Sequence, residues 1–188
     1  MNSALSDMTG QTFWITGLSG AGKTTLANAL TLRLRALGHQ VVQLDGDTLR
    51  DIFSSNDPSQ GHHDRDSRLL LAMRYGRLCQ MLSSQGLTVV IATISMFNEV
   101  HCWNRENLPG YKEIYLKVPL HELRRRDPKG IYRSYDQGTL RSVAGLDLVV
   151  DEPLAPDWCM PDDRPLTVEE TLHAVLSLVM PPRIHPKS

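Results

Sequence analysis

A glycine-rich segment near the N-terminus carries the residue types that bind the phosphates of a nucleotide. Residues 17–24 read Gly-Leu-Ser-Gly-Ala-Gly-Lys-Thr and match the pattern G-x-x-x-x-G-K-[ST] in full. Glycines let the backbone curl so that its N–H groups face phosphate oxygens, and a following helix adds the positive end of its dipole. In this pattern Lys23 would neutralise the β- and γ-phosphates, and the Thr24 hydroxyl would hold Mg²⁺. The predicted ATP-binding residues are Gly17, Ser19, Gly20, Ala21, Gly22, Lys23, Thr24 and Thr25.

Two carboxylates follow the next apolar segment of the chain. Asp45 and Asp47 come directly after residues 40–44, which read Gln-Val-Val-Gln-Leu and predict a strand. Ligands of parallel sheets bind outside the carboxyl ends of the strands, where a phosphate loop also lies. Two carboxylates at that edge can serve Mg²⁺ and an attacking hydroxyl group, and the structural alternative is a helix N-cap with a solvated neighbour.

The phosphate-binding pattern alone does not separate the classes of protein that use it. The sequence has no guanine-reading [NT]KxD segment, and the apolar segment at residues 87–93 is not followed by an acidic residue. These two observations argue against a GTPase and a mechanical ATPase. A small-molecule kinase is favoured, and a nucleotide-sensing module that binds ATP without transferring phosphate stays open, as does a kinase for a non-nucleotide substrate.

Strands and helices alternate along the chain and predict an α/β fold with a parallel sheet. Predicted strands cover residues 12–16, 40–44, 87–93, 111–118 and 146–150, and predicted helices cover 23–38, 64–85 and 167–180. A capping box at residues 167–170 marks the start of the last helix. Three further segments are predicted, namely a flexible N-terminus at 1–10, a mobile lid at 126–140 and an irregular connection at 153–166.

Composition and charge limit the classes of partner. The chain has 188 residues, 41% of them hydrophobic, which predicts one globular domain spanning 1–188. Its formal charge is 20 − 21 = −1, which argues against a nucleic-acid surface. Three cysteines are too few for a disulfide framework, and no apolar run is long enough to cross a bilayer. No signal peptide is visible, so we expect a soluble, cytoplasmic protein without a membrane partner.

Three segments of the sequence resemble the adenylylsulfate kinase family. They are residues 17–25 (GLSGAGKTT), 44–50 (LDGDTLR) and 117–132 (KVPLHELRRRDPKGIY), and the similarity extends from Phe13 to about Pro153. The resemblance implies a three-layer P-loop NTPase fold, with a central parallel sheet flanked by helices and a mobile lid. It also implies transfer of the γ-phosphate of MgATP to the 3′-hydroxyl of a nucleotide ribose, often by a homodimer.

The resemblance assigns roles to individual residues. Asp47 would be the general base on the ribose hydroxyl, and Asp45 would order the water molecules of a Mg²⁺ bound to Thr24. Arg126 would lie against the donor adenine. The residues implied in binding the acceptor are Asp47, Arg50, Arg65, Ile94, Ser95, Met96, Phe97, Asn98 and the lid residue Lys129.

The acceptor side departs from the family pattern. Family members usually place phenylalanines on both sides of the acceptor adenine. This chain has residues 60–65 (QGHHDR), with no aromatic ring except the histidines, in the first place and Val143 in the second. The family's Asn-Ile-Arg-Arg is replaced by residues 68–71 (RLLL), and its Ile-Ser-Pro-Tyr/Phe-Arg by residues 94–98 (ISMFN). Each lost ring removes stacking worth about 1–3 kcal/mol.

Residues 64–68 and 93–107 resemble a divergent branch of the family whose acceptor is cytidine diphosphoramidate, used in bacterial surface-polysaccharide pathways. A smaller pyrimidine base would not need two phenylalanines around it. The alternative acceptor is adenylylsulfate, and in that case Phe53 or Phe97 would supply the ring.

Other clusters have a functional and a structural interpretation. Residues 62–64 (HHD) suggest a metal site, but a polar loop entering a helix explains them better. Cys102 is expected to be a partly buried small residue rather than a nucleophile, because phosphoryl transfer needs no covalent enzyme intermediate. The basic residues 124–126 suit a lid better than a nucleic-acid surface. Asn104 and Arg105 are either acceptor contacts or part of a solvated helix.

Overall fold

The central sheet has five parallel strands. The computed structural model describes residues 10–53, 65–161, 164 and 166–179. The spatial order of the strands is β2-β3-β1-β4-β5, with β1 between β3 and β4. The strands are β1 (Thr12–Thr16), β2 (Val41–Asp45), β3 (Thr88–Ala92), β4 (Tyr111–Tyr115) and β5 (Trp158–Cys159).

Helices cover both faces of this sheet and give the predicted three-layer α/β architecture. In β1, Phe13 and Ile15 pack into one core with α1 and α7, whereas Trp14 packs into a second core with α3 and α4. This packing on both faces explains why β1 is buried at every position and why its three central residues are all apolar. The helices are α1 (Lys23–Ala36), α2 (Gly46–Phe53), α3 (Arg65–Ser83), α4 (Asn98–Asn107), α5 (Leu120–Arg126), α6 (Ile131–Asp136) and α7 (Val168–Ser177).

Most of the predicted elements are present with small shifts at their ends. Strand β1 has the predicted bounds, whereas β2 starts and ends one residue later than predicted. Helix α7 begins with the predicted capping box, in which the Thr167 hydroxyl accepts a hydrogen bond from the backbone N–H of Glu170. Helices α2, α4 and α5 were not among the predicted elements.

The predicted strand at residues 146–150 is wrong. The Asp147 carboxylate accepts hydrogen bonds from the backbone N–H groups of Ser142 and Val143, which closes a turn, and only one bridge links Ala144 to Leu148. Val149 is 86% exposed, so its apolar character does not reflect a buried strand. The fifth strand is β5, inside the segment 153–166 that was predicted to be irregular.

The segment predicted to be a lid contains regular structure. Helix α6 lies within residues 126–140, and its Tyr132 side chain is 1% exposed. Except for Gly10, the predicted flexible N-terminus lies outside the described residues, as does the segment 62–64. Within the described ranges, no helix is both long enough and apolar enough to cross a bilayer.

Candidate active site

The phosphate loop leads from β1 into α1 through backbone conformations that favour glycine. Gly17 has φ +145°, and a Cβ atom there would lie 2.7 Å from the carbonyl oxygen of Leu116. Gly22 precedes α1 in the left-handed conformation with φ +96°, and Lys23 is the first residue of the helix. The loop therefore ends at a helix N-terminus, where free N–H groups and the helix dipole attract phosphate.

The Lys23 ammonium lies inside this loop and donates a hydrogen bond to the carbonyl oxygen of Leu18 at 2.8 Å. Burial, with a smaller contribution from the positive charge of Lys129, lowers the pKa of Lys23 to about 8, although Asp47 and Asp45 act in the opposite direction. Burial thus disfavours the charged form of Lys23, and the negative charge of bound phosphates would stabilise that form.

Asp45 joins the end of β2 to the phosphate loop. Its Oδ2 atom accepts a hydrogen bond from the Thr24 hydroxyl at 2.9 Å, and its Oδ1 atom accepts from the N–H groups of Asp47 at 2.9 Å and Thr48 at 3.4 Å. Asp45 thus accepts the hydrogen bonds of a cap at the start of α2 and also faces Thr24, the predicted Mg²⁺-binding residue.

A hydroxyl and a carboxylate oxygen are ligands that Mg²⁺ prefers, and they fit an ion that also binds nucleotide phosphates and water. Elsewhere in the described part of the chain, no group of three or more His, Cys, Asp or Glu residues forms a metal cluster.

The Asp47 carboxylate stands between two cations. Its Oδ2 atom accepts a hydrogen bond from the Lys129 ammonium, and its Oδ1 atom lies 3.1 Å from Nη1 of Arg50. Partial burial favours the neutral acid, but the hydrogen bond and charge of Lys129, with the charges of Arg50 and Lys23, outweigh it and lower the pKa of Asp47. Asp47 is therefore ionised at neutral pH.

These groups line one cavity of about 320 Å³ at the carboxyl ends of β1, β2 and β3. The cavity joins the phosphate loop to residues from β2, α2, the end of β3 and the loop before α6. Predicted site residues on its wall are Ser19, Gly20, Gly22, Lys23, Thr24, Thr25, Asp45, Asp47, Arg50, Ile94 and Lys129. The other predicted site residues are not on this wall: Gly17, Ala21, Arg65, Ser95, Met96, Phe97, Asn98 and Arg126.

Arg126 is held along its own helix instead. Its Nε atom donates to the Glu122 carboxylate at 2.8 Å, and the Arg125 guanidinium donates to the same carboxylate at 2.7 Å. These two hydrogen bonds and the charges of both arginines lower the pKa of Glu122 to about 2.

The segment 94–98 packs beside the cavity. The Met96 and Phe97 side chains are buried, and the Ser95 hydroxyl lies 2.7 Å from the Thr93 hydroxyl. The N–H group of Asn98, at the start of α4, donates to the Asp151 carboxylate at 3.1 Å. In this arrangement Ile94 reaches the wall, whereas Met96 and Phe97 belong to the packed layer behind it.

Two residues of α4, Cys102 and Asn104, differ from their expected surroundings, whereas Arg105 is exposed, as in a solvated helix. Cys102 is exposed and not partly buried, because it lies on the solvent side of α4. Asn104 is fully buried and donates to the Tyr111 hydroxyl at 3.5 Å. Arg105 pairs with Asp157 at 2.6 Å, so neither Asn104 nor Arg105 reaches the cavity wall.

Sequence reasoning missed Tyr132, whose hydroxyl donates a hydrogen bond to the carbonyl oxygen of Ser19 at 2.8 Å and so ties α6 to the phosphate loop. It also missed Asp151, which accepts hydrogen bonds from Asn98 and Arg65. A tyrosine two residues after the segment 127–130 was the available signal for the first contact, but no local pattern marks the second.

A phosphate loop on the central strand of a parallel sheet, facing two carboxylates at the end of the edge strand β2, defines a P-loop kinase. More narrowly, the chain belongs to the adenylylsulphate kinase family, whose model matches residues 9–160.

Similar proteins of this family include two curated relatives. A cytidine diphosphoramidate kinase of Campylobacter jejuni is 40% identical over 144 residues, which cover 76% of this chain and 81% of that protein. A probable adenylyl-sulfate kinase of Pyrococcus abyssi is 34% identical over 170 residues, covering 90% and 94% of the two chains. Because both relatives are kinases, the family assignment also identifies this chain as a phosphotransferase.

A solved structure agrees with the fold. The Mycobacterium tuberculosis APS kinase CysC, in complex with AMPPNP and APS, aligns with a TM-score of 0.79 at 28% identity. The alignment covers 91% of this chain and 98% of that chain. The five-stranded parallel sheet is thus the P-loop fold of this family.

Proposed function

We propose that this kinase transfers the γ-phosphoryl group of ATP to the ribose 3′-hydroxyl of a nucleotide, and that its preferred acceptor is cytidine diphosphoramidate. One observation carries the choice of acceptor: none of the described residues that line the cavity is aromatic. A purine held between two rings needs such residues, whereas a smaller pyrimidine does not. The similarity to the cytidine diphosphoramidate kinase of Campylobacter jejuni supports the same choice.

The aromatic residues that could replace the lost rings are engaged elsewhere. Phe97 is 4% exposed and lies under two guanidinium groups, and the Phe53 ring packs against Tyr75 with centroids 6.2 Å apart. Val143, at the position of the family's second phenylalanine, is 6% exposed. Phe97 and Val143 are therefore too buried to present a face to an acceptor base, and the half-buried Phe53 ring contacts Tyr75 and does not line the cavity.

In this proposal the chain's own residues position the two substrates. The loop N–H groups and Lys23 would bind the donor phosphates, and Thr24 and Asp45 would hold Mg²⁺, which would supply positive charge beside the transferring group. Arg126 would then contact the donor adenine only after leaving Glu122.

The Asp47 carboxylate orients the acceptor hydroxyl and receives its proton. The 3′-oxygen forms a bond to the γ-phosphorus, the bond from that phosphorus to the ADP oxygen breaks, and ADP leaves. Because the transition state is loose, little proton removal is needed before the bond breaks, so a carboxylate of low pKa suffices.

The decisive experiment measures acceptor-dependent ADP release with cytidine diphosphoramidate and with adenylylsulfate at the same MgATP concentration. We expect a higher kcat/KM for the cytidine compound. A preference for adenylylsulfate would contradict the proposal. ATP-dependent stabilisation without ADP release from either acceptor would instead indicate a nucleotide-binding module.

Adenylylsulfate is the second candidate acceptor, because other similar proteins are adenylyl-sulfate kinases. The Pyrococcus abyssi relative, a probable adenylyl-sulfate kinase, aligns over 94% of its length. Stacking on an adenine base would require an aromatic side chain from a residue that does not line the cavity in this structure. We further propose a cytoplasmic homodimer, which size-exclusion chromatography with light scattering would test.

A further inference from the structure

A buried tyrosine contacts both ends of the short helix that carries Asp47. The Tyr75 side chain, in the middle of α3, is 3% exposed. Its hydroxyl donates a hydrogen bond to the carbonyl oxygen of Gly46, the first residue of α2, at 3.1 Å. Its ring packs against that of Phe53, the last residue of α2, with centroids 6.2 Å apart. Tyr75 therefore links both ends of α2, from which Asp47 and Arg50 reach the cavity, to α3.

The backbone at Gly46 is also in close contact with the end of β3. A Cβ atom at position 46 would lie 2.8 Å from the Thr93 hydroxyl oxygen and 3.1 Å from the carbonyl oxygen of Ala92, so a larger residue would clash. Gly46 separates Asp45, whose carboxylate faces Thr24, from Asp47. Contacts from α3 and from the end of β3 thus converge on the one residue between the two carboxylates of the site.

Helix α2 depends on such contacts for its position. It has eight residues, too few for a stable isolated helix. Its Leu49 side chain is 5% exposed, in the core that it shares with Tyr75. Apolar packing is non-directional, whereas a hydrogen bond requires a defined distance and angle. The Tyr75 hydroxyl therefore constrains the orientation of the first peptide of α2 in a way that Leu49 does not.

The Tyr75 hydroxyl is a hydrogen-bond donor at neutral pH. Burial raises the pKa of Tyr75 to about 12; the negative charges of Asp47 and Asp45 act in the same direction, whereas the charge of Arg50 opposes them. The phenol is therefore protonated, and its hydrogen bond to the α2 backbone is kept.

We infer that Tyr75 is a positioning residue, which holds the backbone at Gly46 so that the Asp47 carboxylate meets the acceptor hydroxyl in the correct geometry. Tyr75 does not line the cavity, so it acts through Asp47 and not on a substrate. A displacement of about 1 Å at a reacting group can lower the rate roughly 100-fold, so loss of this one hydrogen bond is enough to slow turnover. The inference rests on the proposed function, because it assumes that Asp47 receives the acceptor proton.

The test replaces Tyr75 by phenylalanine and uses Tyr111→Phe as the matched control. Tyr111 is also buried, and its hydroxyl donates to the Glu113 carboxylate at 2.8 Å, but it does not line the cavity. Kinetics use whichever of cytidine diphosphoramidate and adenylylsulfate is the better acceptor for the wild type. We expect Tyr75→Phe to lower kcat by about tenfold and to leave the KM for ATP unchanged, because the phosphate loop keeps its own contacts. Tyr111→Phe should lower the Tm by a similar amount but leave both kinetic constants unchanged.

A double-variant cycle separates positioning from a general loss of stability. If Tyr75 acts through Asp47, its hydroxyl no longer matters once the carboxylate is replaced, so Asp47→Asn and the double variant should have the same kcat. Wild-type kcat in Tyr75→Phe, an equal fall in Tyr111→Phe, or additive effects in the cycle would overturn the inference. Near-normal kcat in Asp47→Asn alone would refute the proposed base, and this inference with it, so the single variants distinguish the two failures.

Discussion

Asp47 is the residue on which the proposed chemistry depends most directly. Its carboxylate is held by Lys129 and Arg50 and stays ionised, whereas an amide of the same shape can neither balance these charges nor receive a proton. We expect Asp47→Asn to lower kcat by roughly 100-fold or more. ATP affinity should be nearly unchanged, because the donor phosphates are bound by the loop and not by Asp47. Steady-state kinetics and ATP titration measure the two effects.

Asp51→Asn is the matched control for this variant, since Asp51 lies on the same helix and is exposed. Its turnover should equal that of the wild type. An Asp47→Asn enzyme with near-normal kcat would show that another group accepts the proton.

Lys23 makes ATP binding depend on pH. In the free protein its pKa is lowered to about 8 by burial, and bound phosphates favour the charged form and raise it again. Binding then takes up a proton at pH values above 8, so affinity falls as the pH rises through that range. We expect the Kd for ATP to increase roughly tenfold between pH 7 and pH 9, measured by calorimetry.

The Lys23→Met variant is the control for that pH dependence. It should bind ATP weakly at both pH values, with no change between them. If the wild-type Kd were the same at pH 7 and pH 9, the ammonium would not be the titrating group.

At the scale of elements, α6 supports the phosphate loop through one hydrogen bond. Without the Tyr132 hydroxyl, the partly buried carbonyl oxygen of Ser19 loses its donor. We expect Tyr132→Phe to lower the free energy of unfolding by about 1 kcal/mol. The KM for ATP should also rise, because Ser19 lines the cavity. Urea unfolding and steady-state kinetics measure these two effects.

Tyr135→Phe, in the same helix, provides the comparison for this substitution and should change neither value. If the two variants had the same free energy of unfolding and the same KM for ATP, the hydrogen bond from Tyr132 to the loop would not contribute to stability or to ATP binding.

Elements with a strong periodic or terminal signal could be predicted from the sequence. Strand β1 is apolar on both faces and ends at glycines, and the capping box at Thr167 is a local pattern, so both were located correctly. The strand predicted at residues 146–150 is absent, because Val149 is apolar but exposed and so does not indicate a buried strand. Strand β5 has two residues among prolines, and its pairing with β4 is a long-range contact without a local signal.

Only the part of the cavity wall that comes from local sequence motifs could be predicted in the same way. Residues adjacent in a motif, such as Lys23 and Thr24, lie together on the cavity wall. Arg126 was assigned by resemblance, but its charge pairs with Glu122 one turn earlier. The Asp151 contacts join residues 53 and 86 positions apart, so only the folded chain reveals them.

At the scale of the whole molecule, nucleotide binding should be visible as stability. A ligand at about 100 times its Kd stabilises the folded state by about 2.7 kcal/mol, and for a chain of this size about 1 kcal/mol raises Tm by roughly 2–4 °C. We expect MgATP to raise the Tm of the wild type by about 5–10 °C under these conditions. Differential scanning fluorimetry measures this shift.

Lys23→Ala should keep the fold, because Lys23 lies at the edge of the cavity, and it should lose most of this shift. A Tm increase as large as that of the wild type would contradict the role of Lys23. An unfolded variant would be recognised by its far-UV circular dichroism.

The position of β1 in the sheet has a consequence for how the protein is made. This strand comes near the start of the chain, yet it pairs with β3 on one side and β4 on the other. Both partners are translated much later, so β1 has no neighbour in the sheet until β3 has left the ribosome, and it lacks its second neighbour until Tyr115 has followed. The phosphate loop that follows β1 is therefore synthesised well before the sheet that positions it is complete. Until the sheet is complete, the apolar side chains of β1 are exposed, and we expect chaperones to bind this segment.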